Sequence, residues 1–530
     1  MSQVGQKTEV GTLDGTPEKR LFWSIISDYD LRTAICELID NSVDQWMPTK
    51  DKASLSVSVK LDDAKQFISV MDNAGGVKKS ELDLLITPGG SNNDPLKECI
   101  GIFGVGSKRA AVALGERIEY KTRFRTQETY QIDVTEDWLS SSDWEIPSYQ
   151  IPNIHKNTTL IEITKLRKPI NSEQITELTT HLQETYGKFL QHNFELEVNG
   201  VALDSFEFAN WCFPPDYPPR EISFNIELPD EQKIYVKITG GLISDRDAET
   251  ENYGVYFYCN DRLIVKELKS RDVGYYVPGE AGVPHPDASL SRVIVELNGP
   301  AKYMPWNSSK TSINVDHIVF QQVRQSIIQL NSYYTSLSRR LKNDWDNSIY
   351  KYVDGDIDKK SVTNPTSKEP VNLPELPKVK KRKVEQLIAK NRKQINSQPW
   401  TVGLVESIAF LEIIKRQKFE TGNRIALIVL DSNFEIALKE FIVHRSDIFP
   451  TNIYTEKKIR ELFRTRKKVV NEVAKQISLP KSLTDKADHY YQIRNKLIHE
   501  RATVGITDRE VEDYRKVVVK ILKLLFDLRF

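Results

Sequence analysis

The segment ELIDNSVD at residues 37–44 is the most constraining feature of this sequence. It lies within residues 30–46, where apolar positions recur at spacings of three and four, a pattern that predicts an amphipathic helix. Glu37, Asn41 and Asp44 fall at i, i+4 and i+7, so they share a second face of that helix. A carboxylate, an amide and a second carboxylate on one face are suited to holding a hydrated Mg²⁺ and orienting a water molecule. A solvated helix face is the competing interpretation.

A second polar element follows a strand predicted at 66–72. It reads Asp72-Asn-Ala-Gly-Gly76. A carboxylate at a strand end can accept a hydrogen bond from an exocyclic amine, and the glycines let a ligand approach the backbone closely. The same five residues are also compatible with an ordinary hairpin turn.

A third element, GIFGVGSKRAAVALG, occupies residues 101–115. Gly104 and Gly106 lead into a helix start, where free N–H groups and the positive end of the helix dipole attract phosphate. Lys108 adds a point charge. The loop lacks the P-loop spacing, so it carries weight only together with the other two elements.

Together, in this order, the three elements resemble the GHKL superfamily of gyrase-type topoisomerases, MutL mismatch-repair proteins, heat-shock chaperones, histidine kinases and MORC ATPases. ELIDNSVD is very close to the MORC and gyrase versions of the first motif, and Thr159 in NTTLIEI is similar to the fourth. Ala74 and Thr158 stand where the family usually has glycine. The resemblance covers residues 20–165.

The resemblance implies ATP binding and hydrolysis with Mg²⁺. Glu37 would be the general base and Asn41 the magnesium ligand, with residues 77–107 as a lid over the nucleotide. The implied nucleotide contacts are Asp72 and Thr159 at the adenine, Gly76, Gly104, Gly106 and Lys108 around the phosphates, and Asp44 on the helix face of Glu37 and Asn41. Positioning and charge neutralisation by such groups suffice for slow phosphoryl transfer to water.

Residues 205–345 form a second block with strands predicted at 221–227, 233–240, 254–260 and 292–297, and a helix at 315–341. GVYFYCNDRLI and MPWNSSKTSIN, at 254–264 and 304–314, resemble the transducer of the MORC, gyrase and MutL branches. This implies that Lys310 reaches the γ-phosphate and that ATP closes a homodimer. An ordinary loop lysine is the alternative.

The C-terminal segment YYQIRNKLIHE, residues 490–500, resembles the Arg-x4-His motif of HEPN domains. Arg494 and His499 are five residues apart and do not share a helix face, whereas Asn495 and His499 do. The resemblance implies a metal-independent endoribonuclease in which two protomers combine their motifs to cut RNA. An ordinary charged helix and a HEPN fold used only for dimerisation are the alternatives.

Five regions are predicted. They are a mobile arm at 1–17, a GHKL ATPase domain at 18–200, a transducer-like domain at 201–352, a linker at 353–382 and a helical HEPN-like effector domain at 383–530. The ATPase domain is predicted to be an α+β two-layer sandwich, followed by the transducer-like α/β domain and the all-α domain.

Formal net charge is zero, so the whole chain gives no general argument for nucleic acid or membrane. Two local clusters are strongly basic and do indicate nucleic-acid contact. Residues 378–393 carry eight Lys/Arg against one acid, and residues 457–468 carry seven against one. They suggest RNA or DNA contact, although a charged run is also typical of a solvated face. The four cysteines form no CxxC pair, and no signal or membrane-spanning run is present, which favours the cytoplasm and no membrane.

The resulting hypothesis is a GHKL sensor or switch that controls a HEPN ribonuclease, resembling prokaryotic anti-phage or toxin-type defence proteins with an operon-encoded partner. One alternative is a MORC-like DNA clamp in which the C-terminal domain only dimerises. Another is a chaperone-like conformational ATPase acting on protein.

Overall fold

The computed structural model describes Lys19 and residues 29–102, 104–247, 249–341, 358–361, 373–377, 383–416, 419–499 and 505–530. Its described residues up to 376 form one compact unit, and those from 377 onward form another. The first unit is mixed α and β and the second is helical, which confirms the predicted fold class. The predicted arm at 1–17 and most of the predicted linker at 353–382 lie outside the described residues.

An eight-stranded sheet, the first sheet, dominates the N-terminal half of the first unit. Its strand order is β5-β4-β3-β6-β2-β1-β7-β8, antiparallel except for the parallel pair β1 and β7. Helices α1, α2 and α4 pack together beside it over a buried apolar core. The elements are α1 (Leu31–Trp46), β1 (Leu55–Asp62), β2 (Phe67–Asp72), α2 (Gly106–Leu114), β3 (Gly115–Arg123), β4 (Thr129–Thr135), α3 (Glu136–Ser140), β5 (Ser148–Ile151), β6 (Thr158–Leu166), α4 (Ser172–Tyr186), β7 (Phe194–Val198) and β8 (Val201–Ala202).

Helix α1 forms where the periodicity predicts it. The Asp30 side chain caps its first turn by accepting a hydrogen bond from the Thr33 amide at 2.8 Å. Its apolar stripe is buried, with Ala34, Ile35 and Leu38 at most 1% exposed. Strand β2 lies within one residue of the bounds predicted for it, 66–72. The sequence prediction did not include β5, β7, β8 or α4.

A six-stranded second sheet follows, in the order β12-β11-β13-β10-β9-β14. Helix α5 packs across β9, β10 and β13. Strand β14 falls inside the predicted linker, which did not anticipate it, and pairs in parallel with β9. The elements are β9 (Arg220–Glu227), β10 (Lys233–Leu242), β11 (Gly254–Cys259), β12 (Arg262–Leu268), β13 (Ser291–Asn298), α5 (Ile318–Leu341) and β14 (Asp358–Ser361).

Two connections of the second sheet reach the first half of the unit. The turn between β11 and β12 has positive φ at both central residues, Asn260 (49°) and Asp261 (63°), as a tight two-residue hairpin requires. The loop between β13 and α5 carries Lys310, which also has a positive φ of 54°. Both connections place side chains against helix α1.

The second unit is built around the long helix α9. Its buried face packs against α8, α12 and α13. Helix α13 begins at Asp508, with a capping box between Thr507 and Glu510. The helices are α6 (Lys383–Lys390), α7 (Arg392–Ser397), α8 (Val402–Arg416), α9 (Gly422–His444), α10 (Glu456–Leu462), α11 (Arg466–Gln476), α12 (Lys481–His499) and α13 (Asp508–Phe526). Within the described part of the chain, no helix is long and apolar enough to cross a membrane.

Candidate active site

A cavity of about 630 Å³ opens between α1, the start of α2, the ends of β2 and β6, and the loop that follows β13. The structure brings together around it all the site residues predicted in the first unit. Their roles stay predictions, but their placement in one cavity is a finding. The predicted residues that line it are Glu37, Asn41, Asp44, Asp72, Gly76, Gly104, Gly106, Lys108, Thr159 and Lys310.

Asp72 forms the inner end of the cavity, at the last position of β2. Its carboxylate accepts hydrogen bonds from the Ser42 hydroxyl at 2.9 Å and from the Ala74 amide at 2.8 Å. Burial raises the pKa of this carboxyl to about 6, although these hydrogen bonds oppose the shift. The register of β2 and β6 sets Thr159 directly opposite Asp72. A buried carboxylate held in one orientation fits recognition of an amino group on a planar base.

Glycine is required at two positions around the cavity. At Gly76, φ is +69° and a Cβ atom would lie 2.2 Å from the backbone oxygen of Arg123. At Gly106, the first residue of α2, a Cβ would lie 1.9 Å from Oε2 of Glu37. The missing side chains therefore let the Arg123 backbone pack against Gly76 and let the Glu37 carboxylate lie at the start of helix α2.

Lys108 fastens the lid segment, residues 77–107, in the conformation described. Its Nζ donates to the carbonyl oxygens of Gly90 and Gly104, each at 2.5 Å. Burial lowers the pKa of Lys108 to about 8. The lysine thus bridges two points of the lid from the first turn of α2, beside the expected phosphate position.

Asp44 holds the same lid from helix α1. Its carboxylate accepts from the amides of Ile100 at 2.6 Å and Gly101 at 2.7 Å, and from Nδ2 of Asn93 at 2.9 Å. Burial raises the pKa of Asp44 to about 7, against the influence of the backbone hydrogen bonds. Asp44 was predicted as a nucleotide contact, and the geometry gives it the additional task of fixing the lid backbone.

Glu37 and Lys310 form a buried ion pair at the centre of the cavity wall. Lys310 Nζ lies 2.6 Å from Oε1 of Glu37 and 3.2 Å from Oδ2 of Asp40. The Glu37 residue is 3% exposed and Lys310 is 6% exposed. Burial alone would lower the pKa of Lys310, but Glu37 and Asp40 outweigh it and raise the pKa overall. The second sheet therefore supplies a charged group to the predicted base.

Asp40 and Arg262 are site residues that sequence reasoning missed. Arg262, the first residue of β12, donates from Nε to Oδ1 of Asp40 at 2.9 Å. Tyr186 donates to the same oxygen at 2.7 Å. Burial raises the pKa of Asp40, but Arg262 and Lys310 lower it more, so the carboxyl stays ionised. The only local signals were the Asp of ELIDN and the Arg of CNDRLI.

The residues of this cavity fit Mg²⁺ only if the nucleotide and water supply most of its ligands. Asn41 lies on the cavity side of α1 one turn after Glu37, and it is exposed, so its amide oxygen can serve as a ligand. Among the described residues, no cluster of three or more His, Cys, Asp or Glu side chains is arranged to hold a metal ion. A Mg²⁺ ion here would take its remaining ligands from nucleotide phosphates and water, as this ion commonly does.

Comparison with known families agrees with this geometry. Residues 29–167 match the family described as "Histidine kinase-, DNA gyrase B-, and HSP90-like ATPase". This part of the chain is therefore similar to the ATPase domains of the GHKL type. A search of curated proteins found no match.

The second unit places Arg494 and Asn495 in helix α12, which ends at His499. The guanidinium of Arg494 lies 3.5 Å from the buried carboxylate of Asp431 and donates to the Asn495 side chain at 3.0 Å. The side chain of His499 lies outside the described residues. Within one chain, Arg494 is therefore a partly exposed member of an ion-pair network.

Asp431 is the centre of that network and is fully buried in α9. It pairs with Arg466 and accepts from the Tyr514 hydroxyl at 2.8 Å. Arg466 belongs to the basic cluster at 457–468, but it is only 9% exposed. Phosphate contact by this cluster would therefore have to come from its other cations.

Proposed function

We propose that this chain is an ATP-driven switch in which Glu37 activates the hydrolytic water and the second sheet delivers Lys310 to the same cavity. The ion pair between these residues, 2.6 Å across, is the observation that supports the proposal best. A GHKL ATPase domain supplies the nucleotide class, and Lys310 joins that domain to the sheet that follows it. The rate of hydrolysis would thereby depend on how the second sheet positions Lys310 relative to Glu37.

Each residue of the cavity has a task in this proposal. Glu37 takes a proton from water, and the ion pair with the adjacent Lys310 ammonium holds its carboxylate in place. Asp72 contributes to selection of the base, because its buried carboxylate oxygens accept hydrogen bonds and favour a base that presents an amino group to them. Bound Mg²⁺ would neutralise phosphate charge, with Asn41 as its protein ligand. The lid, held by Asp44 and Lys108, excludes water from the cavity.

Alanine substitutions at Glu37 and Asn41 test these roles. Glu37→Ala should keep ATP binding and lose turnover by about 10²–10⁴-fold, as expected for a general base. Asn41→Ala should instead weaken Mg²⁺-dependent nucleotide binding. Glu195→Ala, an exposed carboxylate on β7, is the matched control and should behave as wild type. Near-normal hydrolysis by the Glu37 variant would end the assignment.

We further propose that ATP closes a homodimer, as the resemblance to the MORC, gyrase and MutL branches implies. Sedimentation with a non-hydrolysable ATP analogue should show a more compact dimer than sedimentation with ADP. Identical profiles would contradict an ATP-dependent closure, unless contacts between C-terminal domains already hold a compact dimer.

For the C-terminal domain we propose a metal-independent ribonuclease controlled by the ATPase, in a defence or toxin role with an operon-encoded partner. The support is RNKLIH near the end of α12 in a helical unit. His499 would move protons, and Arg494 from the other protomer would stabilise charge on phosphate. His499→Ala should abolish cleavage of single-stranded RNA, in the presence of EDTA as well, and leave ATPase activity intact.

The placement of Arg494 favours a second candidate, a DNA clamp whose C-terminal domain only dimerises. Its contact with buried Asp431 gives this arginine a structural task within one chain. Wild type and His499→Ala would then cut RNA equally or not at all, and ATP-dependent binding of duplex DNA would be found instead. The two proposals are separated by one set of RNA and DNA assays with and without ATP.

A further inference from the structure

The segment 260–262, which forms the turn after β11 and the start of β12, contacts two parts of the proposed ATPase site, the lid and the backbone of Lys310. Two of its residues are almost completely buried, Asn260 at 2% and Arg262 at 4% exposure. Neither belongs to the first sheet, and neither lines the cavity described above. Their hydrogen bonds lead in two directions, one toward the lid and one toward the base.

Asn260 is bonded to the lid. Its Nδ2 donates to the carbonyl oxygen of Cys99 and to that of Gly299, each at 3.0 Å. Its Oδ1 accepts from the Gly299 amide at 2.9 Å, so both ends of the side chain are fixed. The two hydrogen bonds to Gly299 therefore fix the side-chain orientation in which Nδ2 of Asn260 also donates to the lid.

The same stretch of lid is bonded to the second sheet by backbone alone. The amides of Ala301 and Lys302 donate to the carbonyl oxygens of Lys97 and Pro95, each at 3.0 Å. Residues 95–99 of the lid therefore lie beside residues 299–302, the segment that comes directly after β13. Asp44 holds the next two lid residues from helix α1, so the lid is anchored on two sides at once.

Arg262 is bonded to the catalytic pair. It fixes Asp40, which itself lies 3.2 Å from Lys310 Nζ, and it donates from Nη1 to the backbone oxygen of Lys310 at 3.1 Å. The guanidinium therefore restrains both the support and the backbone of the lysine. A lysine at this position would keep the charge but lose the planar fork that serves two acceptors.

Resting on the proposed ATPase function, we propose that Asn260 and Arg262 are positioning residues for hydrolysis. Arg262 sets Lys310 against Glu37, and Asn260 holds the lid over the cavity. The second sheet then controls turnover through a single hairpin turn, in addition to supplying Lys310.

The two residues predict different kinetic effects. Arg262→Lys should lower kcat by about 10–100-fold with little change in the KM for ATP, because small displacements of reacting groups carry penalties of that size. Asn260→Ala should mainly raise KM, by about fivefold, since it removes one hydrogen bond from the lid. A merely structural role would reduce melting temperature and leave both constants of the folded protein unchanged.

Arg292→Lys is the matched control. Arg292 is a fully buried arginine of the same sheet that pairs with Asp245 at 3.1 Å and bonds to backbone oxygens. This substitution should lower the melting temperature without changing kcat or KM of the folded fraction. If Arg262→Lys fails to fold, the double variant Asp40→Asn/Arg262→Gln replaces it. This variant removes both buried charges together, so neither is left unpaired, and it should show the same loss of kcat.

The outcomes distinguish the inference from the function beneath it. If wild type hydrolyses ATP and the Arg262 variants match it, the positioning role is overturned and the ATPase proposal stands. If wild type does not hydrolyse ATP, the proposed function fails and this inference fails with it. A selective fall in kcat for Arg262→Lys and a selective rise in KM for Asn260→Ala support the proposal.

Discussion

Replacing Gly106 by alanine would place a methyl group against the carboxylate of Glu37. The new Cβ would lie 1.9 Å from Oε2 and 2.8 Å from Cδ. Ordinary contact begins near 3.4 Å, so the carboxylate would have to move by about 1.5 Å. The obstructing atoms are the end of a flexible side chain, so we expect the protein to fold, with a loss of about 1–3 kcal/mol in stability.

Turnover should fall as well, because the displaced carboxylate is the proposed general base. A displacement near 1 Å of a reacting group can reduce the rate by about 100-fold. That loss corresponds to about 2.7 kcal/mol in activation free energy. The assay is steady-state phosphate release, with the dissociation constant for ATP measured on the same preparation. We expect kcat to fall about 100-fold and ATP affinity to change by less than about threefold.

Gly403→Ala is the matched control for this prediction. Gly403 also lies in a helix, and a Cβ there would meet nothing within 4 Å. Its substitution should leave turnover unchanged and stabilise helix α8 by about 0.5–1 kcal/mol. Wild-type turnover by Gly106→Ala would refute the idea that Glu37 must stay where it is. A parallel loss of binding would instead locate the effect in capture of the phosphates.

Three further predictions follow from buried charges. The folded pKa of Asp44, raised by burial to about 7, lies above the unfolded value of about 3.9, so its stabilising contribution is greatest in acid and is lost as pH rises through about 7. The difference in free energy of unfolding between wild type and Asp44→Asn should therefore fall between about pH 4 and pH 7 and level off above that, and a flat difference over this range would exclude the prediction. Arg466→Met should lower stability by about 3–5 kcal/mol by leaving Asp431 underpaired, whereas exposed Lys467→Met should stay within about 0.5 kcal/mol in chemical denaturation. Asp72→Asn should weaken ATP binding by about 10-fold in calorimetry, because an amide presents a donor where the base also donates; unchanged affinity would remove Asp72 from base recognition.

Much of the ATPase half was predictable because its signals are local. The three-to-four periodicity located α1, and the strand predicted at 66–72 is β2. Glu37, Asn41 and Asp72 each stand in a short motif, and all three line the cavity. Such motifs work without knowledge of the tertiary fold because the chemistry needs several groups on one helix face or at one strand end.

The remaining features depend on contacts between distant parts of the chain. Arg262 meets Asp40 across 222 positions, and no periodicity links them. Strand β14 reads DKKS, which has no apolar alternation, because it is a short edge strand. In the sequence, Arg466 is one cation of a basic cluster. Its burial depends on an ion pair with Asp431 of α9, and this pair is evident only in the tertiary structure.

The pairing of Glu37 with Lys310 is the central claim, and a double-mutant cycle on phosphate release tests it most directly. The cycle compares wild type, Glu37→Gln, Lys310→Met and the double variant, with ATP binding measured for each. If the two residues act as one unit, the double variant should lose no more activity than the more severe single variant. Losses that multiply, so that the double variant falls by the product of the two single effects, would contradict a shared catalytic role.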